Sequence, residues 1–321
     1  MAKRILWGSL ALAPATIFVH YVFHPRDVIE FVLAATALIP LAWLIGEATE
    51  HAAHHTGPGI GGFLNATFGN APELIIALLA IHEGLNEVVR GSLTGSVVGN
   101  LLLVLGFSLL FLVPAVVGWS GNPERASIEQ LSIPVSLVLL LVYVGVTWLS
   151  LRRHRRLHIS DEPPEMVGWS FRTALIVLAV ATVVTGFIAE IVVGSVQVFA
   201  DEANLSEFFV AAVIIAVVGN AAEHGGAVVV AARGQIKLAA EIALASSAQV
   251  AVFLIPAVTL LSLLIDPLSL SFREVEIAAL VFGIGVTLVL LVQGRSSRAR
   301  GVALIVAYVA VAVAFFAAGE R

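Results

Sequence analysis

The chain has 321 residues, 59% of them hydrophobic and only 12% charged, with a formal net charge of −5. That balance excludes a soluble globular domain, and the absence of cysteine excludes disulfides and thiolate metal sites. Stretches free of Asp, Glu, Lys and Arg run as long as 91–123, well beyond the roughly 20 apolar residues that cross a bilayer, so the fold class is an all-α polytopic membrane protein.

Ten apolar segments follow one another: 5–23, 27–50, 61–82, 90–117, 127–150, 169–200, 206–232, 236–265, 273–293 and 299–318. The first imitates a signal peptide, with Lys3 and Arg4 ahead of an apolar run and Ala11-Leu12-Ala13 resembling a cleavage site. The run continues to Phe23, however, and reads as an uncleaved helix. Most connections are short, 51–60 being one of the loops. The longest polar stretch runs from Arg152-Arg153-His154-Arg155-Arg156 to Glu165. It divides the chain into an extra N-terminal helix (1–26), a first half (27–151), a linker (152–168) and a second half (169–321).

Basic residues mark cytoplasmic loops. In the second half Arg152–Arg156, Arg233 with Lys237, and Arg295 with Arg298 and Arg300 lie inside, whereas Asp201-Glu202 and Asp266 lie outside. The 206–232 segment therefore runs inward. Lys3 and Arg4 place the N-terminus inside, so 61–82 runs outward, antiparallel to 206–232 as an inverted repeat requires. One conflict follows. Five segments separate Lys3 from Arg152, and an odd number of crossings cannot return the chain to one side. Segment 90–117 rises only about 42 Å at ~1.5 Å per residue, too little to cross twice, so the first half reads as one helix short after Gly106.

The stretch Gly69-Asn70-Ala71-Pro72-Glu73 lies inside one apolar segment and recurs in another as Gly219-Asn220-Ala221-Ala222-Glu223. A carboxylate in hydrocarbon is costly and faces a partner, a cavity or an ion path. At the same separation from each glutamate come Ser96, in Gly95-Ser96-Val97-Val98-Gly99-Asn100, and Ser246, in Ala245-Ser246-Ser247-Ala248-Gln249. Ser96 with Asn100, and Ser246 with Gln249, share a helix face. Each half thus carries one carboxylate, Glu73 or Glu223, and neutral oxygens from Asn70, Ser96 and Asn100 or from Asn220, Ser246 and Gln249. Brought together they make an oxygen-rich site suited to a hard cation such as Ca²⁺. A helix-packing motif, with Gly for close approach and Asn and Ser as interhelical glue, is the plainer reading. It does not account for two carboxylates at matched spacing.

These residues resemble the Ca²⁺/H⁺ antiporters, the cation/proton exchangers of the Ca²⁺/cation antiporter superfamily. The resemblance rests on Gly69–Glu73 with Leu74-Ile75, Gly95–Gly106, Gly219–His224, and Ser246–Gln249 leading to Pro256. It covers nearly the whole chain from about Pro40. It implies an inverted repeat of the sodium/calcium-exchanger type in which the two glutamates take Ca²⁺ and protons in turn, the amides and hydroxyls completing the site. Asparagine before each glutamate, where sodium-coupled relatives carry a Gly-Thr-Ser-type sequence, favours proton coupling. Family members have an extra first helix and then five plus five, whereas four segments follow the extra helix here. The resemblance also implies roles in the proton route or gating for His224, Glu50 and Glu190.

The function expected is secondary transport rather than enzymatic catalysis, with Ca²⁺ and H⁺ as transported ions, no cofactor, no nucleic acid, and the lipid bilayer of the cell membrane as surroundings. Three alternatives stay open: exchange of Na⁺, K⁺ or Mn²⁺, a passive channel, and an intramembrane metalloenzyme. The last draws on Glu47, Glu50, His51, His54 and His55, where His51 and His55 stand four apart as in metalloprotease helices. The order of residues differs from the His-Glu-x-x-His of those enzymes, and the cluster lies at a helix end.

Overall fold

The computed structural model describes residues 2–23, 25–99, 131–145, 168–232, 236–268, 272–291 and 297–319. The described residues form helices, turns and short connections. α1 (Ala2–Ser9) and α2 (Leu12–Phe23) make the N-terminal element. α3 (Asp27–Phe68) is the longest helix, with 42 residues, or about 63 Å at ~1.5 Å per residue. α4 (Ala71–His82), α5 (Asn86–Gly99) and α6 (Leu131–Gly145) complete what is described of the first half. In the second half come α7 (Phe171–Ala203), α8 (Glu207–Gly219), α9 (Ala221–Ala232) and α10, followed by α11 (Glu274–Leu291) and α12 (Arg298–Ala318). α10 runs through Ile236–Gln249, a π-helical turn Val250–Leu254, and Ile255–Ser262. α8 contains a second π-helical stretch, Val210–Ile215.

Side-chain chemistry sets several of these boundaries. Ser170, Ser206 and Ser297 cap α7, α8 and α12, each hydroxyl accepting from the backbone N–H three residues on. α7 stops at Asn204, whose φ of 55° is left-handed, while Leu205 N donates to Ala200 O. α4 stops in the same way. Gly84 has φ +74° and Leu85 N donates to Ala80 O, folding α4 back onto α5 as a tight hairpin.

One expected boundary is absent. The 51–60 stretch is not a loop, and α3 continues through Gly57-Pro58-Gly59 to Phe68. Those residues end helices in water, but a membrane helix tolerates them where neighbouring groups satisfy the freed backbone. The chain breaks instead at Gly69-Asn70. The expected crossing beyond Gly106, and the linker up to residue 167, lie outside the described residues.

The two long helices α3 and α7 pack against each other along much of their length, with Phe31 stacked on Phe199 at 4.2 Å between ring centres. α5 lies on α8, and the last part of α10 lies on α4, so each half packs a helix against the glutamate-bearing region of the other. Outward faces are apolar: Ile176, Val180 and Val183 on α7, and Ile305, Val309 and Phe316 on α12, are all exposed. Among the described residues five helices are long and apolar enough to span a membrane, Asp27–Ala53 and Phe171–Ala203 being two of them. Such surfaces are stable only against lipid tails, and the chain is an integral, multi-pass membrane protein.

Candidate cation site

Each Gly-Asn pair sits at an interruption between two helices. Asn70 separates α3 from α4 with φ −99° and ψ 16°, and Asn220 separates α8 from α9 with φ −85° and ψ 9°. Both lie in the sparsely populated bridge region, where many active-site residues are found. Both carbonyls accept the first bond of the helix that follows, from Leu74 N and His224 N at 3.0 Å. The two copies of the motif thus adopt one local conformation. Broken helices of this kind bring helix ends, with their unspent backbone dipoles, to mid-membrane ions.

The interruptions meet. Glu73, in the first turn of α4, is 3% exposed, and its carboxyl lies on the backbone of Gly219, where a methyl group would stand 2.8 Å from Oε1. Asn220 is 2% exposed and donates from Nδ2 to Ser96 Oγ on α5 at 2.9 Å, and to Ala216 O at 2.9 Å. The first motif's carboxylate and hydroxyl are therefore held by the second motif's glycine and amide. Glu73 Oε2 is buried with no hydrogen-bond partner among the described residues. An orphaned carboxylate oxygen is costly there unless a proton or a cation completes it.

The remaining expected residues divide. Asn70 is buried at the first junction, 1% exposed. Ser246 is buried and Gln249 half-buried on α10, which packs along α9 and touches α5. Glu223 holds the same position in α9 that Glu73 holds in α4; its side chain, and Asn100, lie outside the described residues. His224 is half-buried beside it. Glu50 and Glu190 are not part of this cluster. They are exposed on α3 and α7.

The histidines near Glu47 have other work. His55 Nε2–H donates to Trp169 O at 2.8 Å, and the His51 ring lies 4.7 Å from that of Trp169. They fasten α3 to the start of α7. Among the described residues no three His, Cys, Asp or Glu side chains gather as a metal-binding group.

Sequence reasoning passed over two features. Gly91 and Gly95, four apart on α5, face the π-helical stretch of α8. A methyl group at Gly91 would stand 2.8 Å from Phe208 O, and one at Gly95 would overlap the carbonyl of Ala212. The small-x-x-x-small spacing was the available signal. Glu276 is fully buried at the start of α11. It accepts from Thr94 Oγ1 at 3.5 Å and from the backbone N–H of Arg273 as the reciprocal half of a capping box. Arg273 lies over the Phe208 ring at 3.8 Å and donates to Gly319 O at 2.9 Å, tying α11 to α8 and α12.

The pattern of the family described as sodium/calcium exchanger protein matches residues 27–159 and again 173–317. The chain belongs to this exchanger family. Among its curated relatives is a Ca²⁺/H⁺ antiporter, ChaA, of Bacillus subtilis, 35% identical over 98% of this chain and 99% of the relative. Another is vacuolar cation/proton exchanger 1b of Oryza sativa subsp. japonica, 31% identical over 99% of this chain and 80% of the relative. The solved structure of native YfkE superposes with a TM-score of 0.82 at 32% identity, covering 97% of this chain and 99% of that one. The crystal structure of the H⁺/Ca²⁺ exchanger CAX shares the fold at a TM-score of 0.63 and 15% identity. The exchanger fold is thus that of a helical membrane protein with two inverted repeats.

Proposed function

We propose that this chain exchanges Ca²⁺ for H⁺, with Glu73 and Glu223 each carrying either the metal or a proton. The observation that supports this best is the meeting of the two motifs, Glu73 on Gly219 and Ser96 on Asn220, around a carboxylate oxygen that nothing described satisfies. Carboxylates supply charge, and the oxygens of Asn70, Asn220, Ser96, Asn100, Ser246 and Gln249 supply the neutral ligands that a hard divalent ion takes. The names of the relatives point to the same pair of ions. Because metal and proton occupy the same oxygens, loading one expels the other, and transport in one direction is tied to transport in the other. His224, Glu50 and Glu190 belong to the proton route or the gate rather than to the metal. Transport is the whole of the function, and the membrane is that of the cell.

The test is Ca²⁺ accumulation by proteoliposomes after a pH jump. Accumulation should follow the proton gradient and stop when a protonophore collapses it. Accumulation that ignores the protonophore, or that needs Na⁺ instead, overturns the reading.

A further inference from the structure

α5 repeats one small unit. Gly91-Ser92 and Gly95-Ser96 stand one helical turn apart. In both, the glycine packs against a carbonyl of α8, Gly91 at Phe208 O and Gly95 at Ala212 O, which are themselves four residues apart. In both, the following serine is buried to about 1% exposure and lies on the same helix face as the other. The units differ in one respect. Ser96 Oγ receives the Asn220 amide, whereas Ser92 Oγ is buried with no hydrogen-bond partner among the described residues. A helix serine can satisfy itself on the carbonyl four residues back, as Ser195 and Ser247 do here. Ser92 makes no such bond.

α5 leaves the Glu83-Gly84-Leu85 turn, which has no lysine or arginine of its own and so belongs outside, and Ser92 stands one turn nearer it than the Glu73, Ser96 and Asn220 cluster does. We propose that Ser92 is an ion-contacting residue on the outward route, its hydroxyl oxygen taking the place of one hydration water of the divalent cation entering or leaving the site. This rests on the Ca²⁺/H⁺ exchange reading and extends it by one named step. The alternative is an orphaned hydroxyl with no task. The two differ in a measurable way: removing an unsatisfied buried hydroxyl leaves a fold unchanged or more stable in either case, but only an ion-contacting hydroxyl changes the KM for Ca²⁺ when it is removed.

The experiment compares wild type, Ser92→Ala and Ser92→Thr in proteoliposomes, with Ca²⁺ presented at the outer face. Ser92→Ala should raise the KM for Ca²⁺ roughly fivefold, the effect of losing one neutral oxygen, while thermal stability in detergent holds or rises. Ser92→Thr, which keeps the hydroxyl, should restore the KM. A second measurement uses the lack of native cysteine. Ser92→Cys should react with a water-soluble thiol reagent from the outer face, and saturating Ca²⁺ should slow that reaction. Wild-type kinetics in Ser92→Ala, or Ser92→Cys inert with and without Ca²⁺, overturns the role of Ser92 alone. Absence of pH-driven Ca²⁺ flux in the wild type overturns the exchange reading and this step with it.

Discussion

Glu73 owes its position to a residue with no side chain. The carboxyl rests on the Gly219 backbone, with Oε1 where any β-carbon at 219 would press on it. Gly219→Ala should therefore leave the fold intact, since a glutamate end can swing aside, but move the carboxylate off its station. Ca²⁺ affinity should fall about fivefold, the scale of one misplaced polar contact of ~1 kcal/mol, with unchanged thermal unfolding. Glu73→Gln is the sharper change. Glutamine keeps the size and one oxygen, yet it brings no charge and releases no proton. Exchange should vanish while the protein still inserts and unfolds normally, and Glu223→Gln should do the same. Wild-type flux in either variant sinks the two-carboxylate mechanism. Asn70→Ala and Asn220→Ala each remove one neutral oxygen, and a weaker effect is expected.

Helices here are held at distances that only glycine allows. A methyl group on Gly95 would meet the Ala212 carbonyl inside the π-helical stretch of α8, so α5 and α8 would have to part. Overpacking of this kind costs about 1–3 kcal/mol. Gly95→Ala should lower the melting temperature and weaken transport together, because Ser96 and Asn220 would separate as well. Gly186→Ala on α7, where nothing lies within 4 Å, is the control and should be neutral in both assays. The same helices show what a sequence can and cannot disclose. The duplicated Gly-Asn-x-x-Glu was legible because charge inside an apolar run stands out on cost alone. The hairpin of α4 and α5 was legible from hydropathy and a short polar turn. The continuity of α3 through Gly57-Pro58-Gly59 was not, since breakers lose their meaning where packing satisfies the backbone. The π-helical stretches at Val210–Ile215 and Val250–Leu254 had no sequence mark either. They are a register adjustment set by what lies opposite. Glu276 could have been found by the rule that exposed the two glutamates. Its place at the edge of an apolar segment made it look like an ordinary helix start.

At the scale of the whole molecule the question is which way each half faces. α5 packs on α8 and α10 on α4, so the halves interlock, and the family pattern matches twice, over 27–159 and over 173–317. The alignment with the Bacillus relative runs over 350 positions, more than the 321 residues of this chain. It therefore carries gaps opposite this chain. The first half obeys inversion if its glutamate hairpin points opposite to its counterpart. The charges state what that requires: the connection after α4 carries Glu83 and no nearby lysine or arginine before Arg90, whereas the connection after α9 carries Arg233 and Lys237. The first belongs outside and the second in the cytoplasm. Because the chain lacks cysteine, one introduced thiol reports its own side. Glu83 is exposed at its turn, and Glu83→Cys should be labelled in intact cells by a membrane-impermeant thiol reagent. Arg233→Cys should react only after the membrane is opened, as should Arg155→Cys in the linker. Labelling of Glu83→Cys and Arg233→Cys from one and the same side would place the two hairpins parallel. An inverted repeat, and with it a shared site built from Glu73 and Glu223, could not survive that result.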